Sequence, residues 1–250
     1  MTCNQMRQHM ANPSTSPSTS IPPASARHAG PPLVLPASAF AGLFLGSLII
    51  GAWLTGGTPP PIPFETSDAA LRYFVDHATA VRIAAFLQFG AAIPLGLFTA
   101  TVVSRFQFLG VNVAGITIAL FGGLAASFFL AASGLTLWVL SSPGVADVAS
   151  NARVLQLLAF ATGGPGHVVP LGLLLAGISI AGGVTRKLPR WIMWFGVVLA
   201  VIAELSTLTL INDAAAVLLP LARFPAFIWM LCVAFTLPST RNSRVNAPAR

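Results

Sequence analysis

The chain has 250 residues, of which 13 are Lys or Arg and 6 are Asp or Glu, so charged residues make up 8% where a soluble domain carries about a quarter. Hydrophobic residues make up 55% and the mean hydropathy is +0.81. Those values exclude an ordinary soluble domain and an acidic disordered chain. The formal charge of +7 comes from few acids rather than many clustered bases, so nucleic acid is not an expected partner and membrane lipid is.

Residues 1–32 carry Pro13, Pro17, Pro22, Pro23, Pro31 and Pro32 with a Ser/Thr run from Ser14 to Ser20. So little apolar surface cannot offset the entropy of ordering, which predicts a disordered tail. Arg7 and Arg27 precede an apolar run that resembles a signal peptide. That run is too long for one, and no cleavage motif follows, so it is read as an uncleaved first span. Cys3 lies in the tail and Cys232 in the last apolar stretch, which gives neither a disulfide framework nor a metal site.

A helix needs about 20 apolar residues to cross ~30 Å of hydrocarbon. Six stretches qualify, at 34–55, 81–103, 111–138, 155–181, 191–211 and 216–237. They are continuously apolar rather than alternating, which excludes barrel strands. The expected fold is an all-α membrane protein, a six-transmembrane-helix bundle over 33–238, with a short basic tail at 239–250. With both termini cytoplasmic, the inner segments hold nine basic residues and the outer segments three (Arg72, Arg82 and Arg153), Arg223 being intramembrane. This is the bias of cytoplasmic loops. Trp53 and Trp138 then mark the outer interface, and Trp191 and Trp194 the inner one.

The outer loop at 56–80 opens with Thr58-Pro59-Pro60-Pro61-Ile62-Pro63, an extended polyproline-like segment. Ser67 or Asp68 then caps a short amphipathic helix in which Leu71, Phe74, Val75 and Ala78 repeat at helical spacing. Such a helix either lies on the membrane surface or lids the bundle. The third span carries Gly115, Ala119, Gly123, Ser127 and Ala131 four residues apart, and the first carries Ser38, Gly42 and Gly46. Small residues let lipid-solvated helices approach closely, so both stripes are expected to be packing seams or faces for a second copy or a membrane partner. The third span is placed at the centre. Gly90-x-x-x-Pro94-Leu95-Gly96-Leu97 matches Gly166-x-x-x-Pro170-Leu171-Gly172-Leu173, a likeness too short to establish a duplication. Each proline frees the carbonyl four residues before it.

Four polar side chains fall within spans at comparable depth. Glu204 lies ~12 Å below the outer end of the fifth span and Gln88 ~9 Å into the second. Arg223 sits about two turns into the sixth, and His167 lies deeper, just after Gly163-Gly164-Pro165-Gly166. That cluster is expected to break or kink the fourth span. Charge in hydrocarbon costs ~2.5–3.5 kcal/mol, so Glu204 and Arg223 are expected to face inward and satisfy each other. Three readings stay open: an ion pair that ties helices together around a packed His167, an outward-facing ligand or proton site, or Arg223 snorkelling to the outer interface. No nucleophile elbow, H-E-x-x-H, intramembrane aspartate pair or phosphate loop marks an enzyme, and no cofactor is implied.

Leu188-Pro189-Arg190-Trp191 at the fifth span and Arg223-Phe224-Pro225 leading to Trp229 in the sixth resemble bacterial multipass membrane proteins known only as domains of unknown function. The resemblance covers residues 38–238. It implies a six-helix bundle in a bacterial cytoplasmic membrane and no activity. Twelve Arg against one Lys also suit a high-GC bacterial genome. The functional alternatives are a small-molecule or proton-coupled transporter and a structural or regulatory subunit of a membrane complex.

Overall fold

The computed structural model describes residues 26–62 and 67–241; most of the expected tail and of the basic carboxyl-terminal tail lies outside the described residues. Among the described residues there are eight α-helices: α1 (Val34–Leu54), α2 (Ser67–Asp76), α3 (Ala78–Phe108), α4 (Ala114–Leu140), α5 (Ala149–Gly163), α6 (Pro165–Val184), α7 (Arg190–Leu205) and α8 (Leu218–Thr236). They make six segments long and apolar enough to cross a membrane, α5 with α6 forming one of them. The six are compatible with an integral membrane protein. Phe86, Phe121, Phe128, Ile228 and Phe235 are exposed on the helix surfaces, where lipid rather than water suits them. Trp53 and Trp138 are exposed near one end of the bundle and Trp191 and Trp194 near the other, as an aromatic belt requires.

α4 packs against α3 on one side and α6 on the other, and the ring closes through α7, α8 and α1. Close approach depends on small residues. A Cβ on Gly122 would meet Leu173 Cβ at 2.6 Å and Leu174 N at 2.8 Å, and one on Gly134 would meet Phe89 N at 2.9 Å. Gly123 faces Thr99 of α3, whereas Gly115 and Ala119 face Gly177 of α6, so the α4 stripe serves two partners. The first-span stripe does not pack. A Cβ at Gly42 or Gly46 would meet nothing within 4 Å, because α1 buries Ala37, Phe40, Phe44 and Ser47 instead.

Ala26–Arg27 pairs antiparallel with Thr240–Arg241, so the two ends of the described chain lie together. The expected tail therefore yields its last residues to an ordered strap. His28 N donates to Ser239 O at 2.9 Å, and His28 Nε2 donates to Ser104 Oγ at 3.1 Å while Nδ1 accepts from Gly30 N at 3.1 Å. Arg105, buried at the end of α3, donates to Pro31 O at 3.3 Å. At the opposite end, α2 packs on α5 and α3 with Ala70 and Phe74 buried, and so lids the bundle.

Candidate functional site

The glycine and proline cluster breaks the fourth span between α5 and α6. Pro165 has no amide hydrogen, and Gly164 takes φ −84° and ψ −107°, outside the helical region. His167 N and Val168 N both turn to Gly164 O, at 3.2 and 2.9 Å. Gly163 O is left without a helical donor.

Arg223 supplies one. Its Nη2 donates to Gly163 O, and its Cζ lies 5.3 Å from the centroid of the Phe44 ring. The expected ion pair with Glu204 is not formed. Glu204 is exposed on α7, with Oε1 so near Gly172 of α6 that a Cβ there would lie 3.1 Å away. The two residues point to different neighbours. A freed carbonyl at membrane depth needs a donor, and a guanidinium answers that need without a carboxylate.

His167 is fully buried, and its Nδ1 donates to Ala126 O at 2.9 Å. A carbonyl only accepts, so the proton sits on Nδ1; Nε2 is bare and has no partner. The Phe40 ring lies 6.5 Å away. His167 is thus a packed core residue, and with Arg223 it secures the break.

Gln88 belongs elsewhere. It lines a chamber of about 280 Å³ between α1, α3, α4 and α5, covered by α2 and by Pro60 and Pro61. Gln88 Nε2 donates to Ser133 Oγ at 2.8 Å, and Ser133 Oγ donates to Ala159 O at 2.9 Å. Gln156 of α5, which is 6% exposed, donates through Nε2 to Pro61 O at 2.8 Å and so ties the polyproline-like segment over the opening. Tyr73 of α2 brings its hydroxyl to Thr55, and burial holds its phenol above the usual value, in the protonated form. None of the described residues lining the chamber is charged, and Gly163 and Gly164 form part of its wall.

Of the four polar residues singled out in the sequence, the structure joins Arg223 and His167 at the helix break and sets Gln88 in the chamber beside it. Glu204 stands apart from both. Gln156, Ser133 and Tyr73 have no such signal: Gln156 falls one residue inside the expected start of the fourth span and reads as interfacial, and Ser133 reads as a small packing residue. Among the described residues no group of three His, Cys, Asp or Glu is placed to hold a metal ion. The arrangement defines a helical bundle with six candidate membrane spans and a neutral chamber under a helical lid. No family model, curated protein or solved structure matches the chain.

Proposed function

We propose that this is a multipass protein of a bacterial plasma membrane, both termini cytoplasmic, that binds a small molecule in the chamber beneath α2. The bacterial reading rests on the Arg-rich composition and on the likeness to bacterial multipass proteins of unknown function. The nine-to-three bias of basic residues toward the segments on the termini side supports the orientation and sets the α2 lid outside. One observation carries the binding reading: a chamber of about 280 Å³, apolar in most of its wall, with the glutamines Gln88 and Gln156 held in place by their own partners. Mostly apolar walls with a few oriented polar groups are the usual build of a small-molecule site. The α5–α6 break favours a second reading, transport, because discontinuous helices at membrane depth recur at transporter substrate sites.

The test is access. In a chain with Cys3 and Cys232 replaced by alanine, Ala84→Cys in the chamber wall is treated with a small impermeant thiol reagent. Reaction in intact cells is expected. Reaction only in inverted vesicles would overturn the orientation, and reaction in neither would remove the chamber as a ligand site. Reaction from both sides would favour the transporter.

A further inference from the structure

The chamber wall leaves one buried acceptor unmatched. Ser47 Oγ donates to Phe44 O at 2.7 Å, and Thr55 Oγ1 lies 3.1 Å from Ala52 O and 3.0 Å from Thr58 O, one of which takes its proton. The Ser133 proton goes to Ala159 O, which leaves Ser133 Oγ as an acceptor for Gln88 Nε2. That order fixes the Gln88 amide: its nitrogen faces Ser133 and its Oε1 is the free end. Pro61 O fixes Gln156 in the same way, since a carbonyl takes only a donor, and Gln156 Oε1 is left buried with no partner. The Tyr73 hydroxyl and the second proton on each amide nitrogen remain as donors, whereas Gln156 Oε1 is a buried acceptor in the lining with no donor to meet it.

We infer that the chamber selects a neutral, apolar-bodied molecule bearing a hydroxyl donor, of the phenol or fatty-alcohol class, which donates its single proton to Gln156 Oε1. This deepens the ligand-binding reading of the chamber and depends on it. A carboxylate or phosphate would leave water for a chamber with no described cation in its lining. A quaternary ammonium would find oxygens yet bring no hydrogen to bond them. A hydroxyl meets the Gln156 oxygen at no charge cost, while the apolar body lies against Leu137, Phe74 and Ala84.

The probes are 4-fluorophenol and its methyl ether, 4-fluoroanisole, followed by 19F NMR on the full chain in lipid nanodiscs, with empty nanodiscs to subtract partition into lipid. The phenol is expected to bind about tenfold more tightly than the ether, equivalent to about 1.4 kcal/mol. Gln156→Met is expected to shrink that ratio toward one while ether binding persists, which also shows that the variant folds. Equal binding of phenol and ether to the unaltered chain would overturn the hydroxyl inference and leave the ligand site standing. No saturable binding of either would overturn both. A ratio unaffected by Gln156→Met would place the donor contact elsewhere and refute the assignment.

Discussion

Replacing Arg223 with methionine tests whether a guanidinium, rather than an ion pair, holds the helix break together. The change removes the donor to Gly163 O and the cation over Phe44. A hydrogen bond to a charged group contributes about 1.5–3 kcal/mol in proteins generally, though bonds between membrane helices average about 0.6 and reach about 1.7. The cation–π contact adds about 0.5–1 kcal/mol. Against these stands the cost of holding a guanidinium in hydrocarbon, which the substitution relieves in part. The net expected loss is about 1–2 kcal/mol, with Arg223→Lys falling between because it keeps the charge and loses the planar fork. Reversible unfolding in mixed micelles, followed by tryptophan emission, measures it. Glu204→Gln completes a double-mutant cycle, and the coupling is expected to stay below about 0.5 kcal/mol, because separated side chains add. A coupling above about 1 kcal/mol would show that the two charges meet in the membrane. A silent Arg223→Met would show that Gly163 O needs no protein donor.

His167→Asn, which can still donate to Ala126 O, is expected to retain folded yield within about 1 kcal/mol, whereas His167→Leu leaves that carbonyl bare and costs about 1–3 kcal/mol; thermal unfolding in detergent compares them. Gly122→Ala drives a methyl into Leu173 and Leu174 of α6 and is expected to cost about 1–3 kcal/mol, while Gly42→Ala meets nothing and is neutral or stabilising by up to about 1 kcal/mol in the same assay. The strap around His28 is expected to loosen in acid. Desolvation, then the neighbouring Arg105 charge, hold its imidazole below the ordinary 6.5, and Nδ1 must be bare to accept from Gly30 N. Its contribution is complete above pH 6.5 and is lost as pH falls through the lowered folded value. Hydrogen exchange at Gly30 between pH 7.5 and 5 should show faster opening in acid, and His28→Phe should flatten that dependence.

The six spans were legible because apolar length is a property of one stretch of chain at a time. The break in the fourth was legible for the same local reason: consecutive glycines followed by proline offer no way to continue the ladder. Pro94, Pro170 and Pro225 carry the same chemistry yet sit inside continuous helices, so proline alone does not locate a break. The partner of Arg223 was not legible. Sequence gives a residue's depth from its distance to the span end, but not the direction it faces across the bundle. Its partner is moreover a backbone carbonyl, which no residue type announces. The small-residue stripes divided similarly. Periodicity located both, but only the neighbours of α4 make its stripe a seam, while that of α1 faces open space. The chamber needs four helices, a lid and a loop brought together, and Gln156 gains its role only when Pro61 lies over it.

Structural glue and the proposed ligand site, alternatives when judged from the sequence, meet at one residue. Gly163 ends α5 with its carbonyl turned to Arg223 of α8, while its α-carbon forms part of the chamber wall. A Cβ there would come within 3.0 Å of Ser133 Cβ and within 3.7 Å of Gln88 Nε2. Any side chain at this position would therefore push on the relay that orients the Gln88 amide. Any movement of α8 that withdrew Arg223 would release the carbonyl on the other side of the same peptide. A continuous helix would have satisfied that carbonyl internally. Because it is broken here, one backbone group depends on a cation outside the chamber, and the chamber keeps a smooth, uncharged floor.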